Sequence, residues 1–417
     1  MSTTTSRGRH SSVVQPIEAH QPLDRLWSRD FTLFFAGRTV SVFGDQMLLP
    51  TTITVAVLQA GYGVTGVGYA LAAYTAPLAI FVIFGGVIVD RFTPVRVMVA
   101  ADVARLIIHS ALAVAFAVGR PTLWLILMIL ALSGCAAAAF QPGFGSVIPR
   151  IARDVQKANA AIRVTESLAT VAGPAAAGLL LVLASIPVVM AIDAATFGVS
   201  AVCLLAVRLR TPRVQRRTSL RRDLVQGWQE FRARTWLWSV IVVFMLFQVT
   251  VNGPFLTLGP SLITIEHGEK ALGLIMSMFG VGAVLGGLVA ARLKPRYPLR
   301  AGAVGLAVGT LAILVVAMQL SPPLLAGGYL LDGAGSAFWL VMFHTSVQTK
   351  IPSDILGRVH AYDVAGSVIM RPIGQVAAGL VALSLGAAQV LYFSAAMLMV
   401  TACLLLAIPV VRNLPRD

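Results

Sequence analysis

Long apolar runs dominate this chain. They recur from residue 31 to residue 411 with only short polar breaks. A helix rises 1.5 Å per residue, so about twenty apolar residues cross a hydrocarbon layer roughly 30 Å thick. Twelve runs of that kind are read: 31–59, 64–89, 98–118, 121–145, 160–184, 186–207, 236–258, 271–292, 299–319, 322–345, 361–384 and 387–411. Hydrophobic residues make up 57% of the chain and charged residues 12%, against roughly a quarter charged in soluble domains. The expected fold class is an all-α polytopic membrane protein with 12 transmembrane helices.

Charge sets the expected orientation. The chain carries 32 basic and 17 acidic residues, a net charge of +15. Such a balance can indicate nucleic acid binding, but here the bases sit in every second loop. Arg91 and Arg96 lie in 90–97, Arg150, Arg153 and Lys157 in 146–159, and nine arginines in 208–235. Arg292, Lys294, Arg296 and Arg300 follow in 292–300, and Lys350 and Arg358 in 346–360. The intervening loops hold only Arg120 and Lys270. The basic loops are expected on the cytoplasmic side, with both termini there as well and no nucleic acid partner. The organisation expected is a cytoplasmic tail (1–30), a six-helix bundle (31–207), a cytoplasmic linker (208–235), a second six-helix bundle (236–411) and a short cytoplasmic tail (412–417). The first thirty residues lack the apolar core of a cleavable signal. The linker is expected to touch anionic lipid headgroups, with an amphipathic segment from Leu220.

The two bundles repeat one another. "GGVIVDR" starts at Gly85 and "GGLVAAR" at Gly286, 201 positions later. Phe140 precedes Pro149 as Phe343 precedes Pro352, at an offset of 203. Gly173 and Gly178 bracket "PAAA" while Gly374 and Gly379 bracket "QVAA", again at 201. Six spans per half place both halves in the same orientation, a parallel repeat able to rock around a central cavity.

The stretch "GGVIVDRFTPVR" resembles the signature loop between spans two and three of the major facilitator superfamily, G-x-x-x-D-R/K-x-G-R-R/K. Gly86, Asp90 and Arg91 match it. Thr93, Pro94 and Val95 depart from it, with Arg96 as partial compensation, and Ala291 replaces the aspartate in the second copy. "GRTVSVFGDQM" (37–47), "FQPGFGSVIPRIARDVQKANA" (140–160) and "QTKIPSDILGRVHA" (348–361) resemble the exporter group that contains macrolide efflux pumps and the enterobactin exporter. "AGPAAAG" (172–178) resembles the glycine-proline element of antiporters. The resemblance spans essentially the whole chain. It implies a monomeric exporter of the bacterial inner membrane that moves hydrophobic or amphipathic molecules, drugs or secondary metabolites, in exchange for protons. Siderophore export, lysophospholipid movement and a non-transporting membrane sensor remain as alternatives.

Ionisable residues inside spans are costly and point to function. Asp45, midway along the first span, is the first candidate for proton coupling, and Glu166 in the fifth is the second. Asp90, Arg91, Arg96, Asp102, Arg105 and Arg163 are expected to form a gate and structural charge network. Asp102 with Arg105, and Arg163 with Glu166, stand three apart and can share a helix face. Arg38 can pair with Asp45 or with an acid of a neighbouring span. Asp193 reads as structural. Asp332, Asp363 and Arg371 are the charges of the second half, and His344 reads as structural. The expected substrate cavity is lined by Arg38, Gln46, Met47, Phe140, Gln141, Gln248, Asn252, Trp339 and Phe343, aromatic and neutral polar groups that suit amphipathic molecules. Asn252 and Pro254 are expected to break span seven. The sequence carries no phosphate-binding loop, metal motif or credible covalent nucleophile. Cys135, Cys203 and Cys403 lie within apolar runs and form no disulfide pattern. No cofactor, metal or enzymatic activity is expected.

Overall fold

The computed structural model describes residues 27–91, 93–152, 154–208, 228–229, 231–351 and 369–416. The terminal tail to residue 26, linker residues 209–227 with the amphipathic segment from Leu220, and Asp363 lie outside the described residues, as do the side chains of Asp90 and Arg91.

The elements are helical throughout the described residues. The first half comprises α1 (Arg29–Met47), a π-helical segment (Leu48–Thr52), α2 (Ile53–Gln59), α3 (Gly63–Arg91), α4 (Pro94–Val118), α5 (Leu123–Ile151), α6 (Val155–Leu183) and α7 (Ile186–Ala206). The second comprises α8 (Thr235–Phe247), a π-helical segment (Gln248–Asn252), α9 (Gly253–Arg292), α10 (Pro298–Ala307), α11 (Thr310–Ala317), α12 (Pro322–Lys350), α13 (Arg371–Leu385), α14 (Ala387–Ala407) and α15 (Pro409–Arg412). Their starts are written locally. The Ser28 hydroxyl accepts the Phe31 amide at 3.1 Å, and the Asp154 carboxylate accepts the Lys157 amide at 2.9 Å, each satisfying an orphan donor of the first turn. Pro94, Pro298, Pro322 and Pro372 occupy first turns, where a missing N–H costs nothing.

Among the described residues, ten helices are long and apolar enough to cross a membrane, one of them the broken run Thr235–Arg292. Twelve spans were expected. The count differs because this run of 58 residues is taken as one element. Arg371–Leu385, with 15 residues, enters only where the description resumes. A straight helix of the longer length would reach about 87 Å. It does not run straight: Gly268 has φ 78° and ψ 176°, a left-handed backbone that glycine takes without steric penalty. Lipid is the natural solvent for the outer surface, where Val118, Trp124, Leu183 and Leu383 are each more than 70% exposed.

The internal repeat is visible in the packing. The two π-helical segments begin at Leu48 and Gln248, 200 positions apart. Gly173 of α6 lies against Gln46 just before the first, and Gly374 of α13 against Val249 in the second.

The halves meet through α3 with α13 and α6 with α9. Thr65 donates to the Gly379 carbonyl at 3.0 Å, Thr75 to Gln375 Oε1 at 2.7 Å, and Gln59 to Glu269 Oε1 at 2.8 Å. A Cβ on Gly178 would stand 2.6 Å from the Gly273 Cα, so only glycine permits this approach of α6 to α9. These contacts occupy the end of the molecule that carries Gln59 and Glu269. The opposite end of the molecule carries the basic loops. There Arg163, Val164 and Leu168 of α6 are exposed.

Candidate functional site

The first half carries a polar network inside its helices. Asp45, near the end of α1, is ion-paired with Arg105 of α4. The Arg105 side chain is only 3% exposed, whereas Asp45 retains 24%. The guanidinium also lies 3.8 Å from the Phe197 ring centroid, a favourable cation–π position. Seven residues earlier on α1, Arg38 donates to Glu166 Oε1 of α6 at 2.8 Å, and Arg163 donates to Glu166 Oε2 at 3.3 Å. The Arg38 guanidinium stands 5.0 Å from the Phe144 ring centroid and 5.7 Å from that of Phe140. Both acids expected to couple protons are thus held by arginines, as charges removed from water require. Protonating either carboxylate removes the anionic partner of a guanidinium, which links proton binding to helix packing.

A third cluster lies deeper. His109 of α4 bonds through Nδ1 to Asp193 of α7 and through Nε2 to Ser133 of α5 at 2.6 Å. The His109 and Asp193 side chains are 1% and 0% exposed. With a neutral imidazole, Nδ1 donates to Asp193 and Nε2 accepts the Ser133 hydroxyl; protonated, both nitrogens donate. His109 is absent from the residues the sequence pattern singles out. Its signal was spacing: Asp102, Arg105 and His109 all fall on the buried face of α4.

The second half is built differently. Asp332 of α12 accepts the Ser336 hydroxyl at 3.3 Å. It faces an interior pocket of about 140 Å³ whose walls include Phe247, Phe255, Phe279 and Tyr329. Among the described residues no lysine or arginine lines that pocket. At its edge Asn252 donates to Gln248 Oε1 at 2.5 Å.

The Major Facilitator Superfamily profile matches residues 34–374. The chain belongs to the major facilitator superfamily. It is similar to the uncharacterized MFS-type transporter YvqJ of Bacillus subtilis (strain 168), 24% identical over 381 residues that cover 88% of this chain and 89% of that protein. It is also similar to the multidrug efflux pump Tap of Mycobacterium tuberculosis (strain ATCC 25618 / H37Rv), 26% identical over 324 residues, 73% of this chain and 75% of that pump. In fold it resembles the crystal structure of the nucleoside transporter NupG. The TM-score is 0.71 at 13% identity, with 89% of this chain and 97% of that one covered. The chain is therefore a secondary active transporter of this superfamily related to efflux pumps, and not an enzyme.

Within this superfamily protein, the expected site residues occupy distinct places. Arg38, Asp45, Glu166, Arg105 and Arg163 come together as described, but Asp102 and Arg105 do not form an ion pair. Asp102 is buried on the same face of α4, and Arg105 reaches across to α1 instead. Arg96 is exposed at the start of α4. Of the residues expected to line a cavity, Met47, Phe140, Gln248, Trp339 and Phe343 are packed interior residues in this conformation. Trp339 stacks between Phe244 and Phe343, at centroid distances of 5.1 and 5.9 Å. Gln46 and Asn252 are half-buried and Gln141 is exposed. Among the described residues no group of three or more His, Cys, Asp or Glu is placed to hold a metal ion.

Proposed function

We propose that this chain exports hydrophobic drugs or secondary metabolites from a bacterial cell by proton antiport and alternating access. The observation that carries the reading is the Asp45–Arg105 pair, a carboxylate that keeps partial exposure with its arginine sealed behind it. Similarity to a multidrug efflux pump supports the cargo class, as do the stretches that resemble macrolide efflux pumps. The twelve-span arrangement belongs to the same proposal: the run Thr235–Arg292 crosses twice, turning at Gly268, and Arg371–Leu385 completes the eleventh span. Two six-helix bundles, 31–207 and 236–411, joined by the linker 208–235, then work as a monomer with both termini and the basic loops in the cytoplasm.

In the proposed cycle, substrate enters from the cytosol or inner leaflet while the halves are joined at the Gln59–Glu269 end. Its binding favours proton loss at Asp45, with Glu166 as the second site. The halves rock, Asp90, Arg91 and Arg96 make the contacts that shut the inner end, and substrate leaves outward. Reprotonation from outside returns the carrier. Coupling requires that proton and substrate prefer different states.

Everted vesicles test this directly. An imposed proton gradient should drive uptake of a macrolide or lipophilic dye by the parent chain, and D45N should abolish the gradient-driven component while E166Q reduces it. Full gradient-driven uptake by D45N would remove Asp45 from the coupling mechanism.

A further inference from the structure

A cleft of about 640 Å³ opens between α9, α10 and α12, well away from the polar network. Small residues create it. Gly286 of α9 packs on the Ala334 backbone of α12, and Gly335 of α12 packs on the Gly305 carbonyl of α10. With no side chains along those contacts, the larger flanking groups stand up as walls. Leu285 and Val289 form one wall and Val304 another, all 46–58% exposed. The cleft therefore opens outward, toward the lipid rather than toward the other half. Its size falls within the roughly 300–1,000 Å³ of ordinary ligand sites.

The mouth of the cleft has the opposite character. Arg296 and Arg300 line it. Both are exposed, and no acid is paired with either among the described residues. Arg296 stands 5.4 Å from the Tyr297 ring centroid, and its carbonyl accepts the Arg416 amide at 3.0 Å, so the loop is anchored. Arg292 and Lys294 add charge beside it. An apolar trough ending in a cationic rim at the membrane edge matches one molecule of the membrane itself. Its tail needs apolar walls and its head carries a phosphate, which guanidinium groups bind with charge-assisted hydrogen bonds. A lipophilic cation fits the walls but is repelled by the rim.

We propose that this cleft is a binding site for an anionic phospholipid, with an acyl chain lying between α9, α10 and α12 and the headgroup phosphate held by Arg296 and Arg300.

The test uses the purified full chain in detergent with dioleoylphosphatidylglycerol or dioleoylphosphatidylcholine, scored by native mass spectrometry of the retained lipid. The parent should prefer the anionic lipid by about thirtyfold, the effect expected of two surface bases on an anionic headgroup. R296A/R300A should lose that preference, R296K/R300K should keep most of it, and R120A/K270A, at the other end of the molecule, should leave it unchanged. V304W fills the trough without touching the bases and should lower retention of the lipid as well. Each variant must elute as the parent does and melt at the same temperature without added lipid, so that misfolding is separated from lost binding. Equal retention of both lipids by the parent would overturn the proposal. So would full retention by V304W, which would reduce the bases to general surface attraction. Displacement of the lipid by a lipophilic cation that binds R296A/R300A as well as the parent would assign the cleft to drug instead.

Discussion

At the scale of single residues, ion pairs between arginines and the acids Asp45 and Glu166 let the first half hold charge inside a bilayer. Removing one member of a buried ion pair strands the other, at a cost of about 3–5 kcal/mol, whereas replacing both costs much less. R105A should therefore lower the melting temperature in detergent sharply, and D45N/R105Q should recover most of it. In everted vesicles the double variant should still show no gradient-driven uptake. Recovery of coupling along with stability would make the pair purely structural. The His109 cluster behaves differently, because it is fully buried whereas Asp45 keeps partial exposure. H109A leaves the buried Asp193 and Ser133 without that partner, each unsatisfied group costing about 1–3 kcal/mol. It should lower thermal stability while leaving the proton dependence of uptake unchanged; a shifted pH profile for uptake would instead give His109 a part in coupling. Asp45, Glu166 and Arg38 were legible in the sequence because a charge inside an apolar run stands out. Their partners were only partly so. Arg163 pairs with Glu166 as the three-residue spacing allows. Arg105, at the same spacing from Asp102, turns to another helix. Which neighbour a long side chain reaches depends on how the helices are rotated about their axes, and no local pattern records that rotation. His109 went unread because a lone imidazole on an apolar face carries no charge signal of its own.

At the scale of helices, the sequence recorded breaks unevenly. Asn252 and Pro254 lead to the expectation of a break in span seven; the backbone stays helical there and departs from α geometry only as the π-helical segment Gln248–Asn252. Its counterpart Leu48–Thr52 was not read, because a single Pro50 within an otherwise apolar run looks continuous. Corresponding breaks in the two halves mark where backbone departs from regular helix inside a membrane, which in repeat-built transporters accompanies binding sites. The glycine-proline stretch of span five was read as a resemblance only; its geometry gives it work. Gly173 receives Gln46 and Gly178 receives Gly273, so the same helix contacts both its own bundle and the opposite half. Substituting Gly178→Val inserts a branched side chain where a Cβ alone would stand 2.6 Å from the Gly273 Cα. Overpacking of that kind costs about 1–3 kcal/mol, and here the cost falls on the state in which α6 and α9 are in contact. In a chain with Cys135, Cys203 and Cys403 replaced, a cysteine introduced at Gln59 should react faster with a membrane-impermeant maleimide when Gly178→Val is present. An unchanged rate would mean that α6 and α9 accommodate the valine without parting.

At the scale of the whole molecule, the contacts between halves lie toward one end, and this asymmetry gives the rocking motion a definite sign. The hydrogen bonds from Gln59, Thr65 and Thr75 join the halves there. If the halves move as units about the middle of the bilayer, parting at that end must accompany approach at the other. A ligand or proton can shift the balance only by binding one arrangement more tightly than the other. Two pairs of exposed bases report the two ends: Arg120 with Lys270, and Lys157 with Lys294. With spin labels on cysteines at these positions, the Arg120–Lys270 distance should lengthen under the conditions that shorten the Lys157–Lys294 distance. Acidification and added substrate should move the populations in opposite senses, as exchange of one for the other demands. D45N should hold the populations fixed as pH changes while leaving both distances accessible. Distances that lengthen together at both ends would describe two bundles separating rather than rocking, and alternating access would fail for this chain even with its helices placed as described.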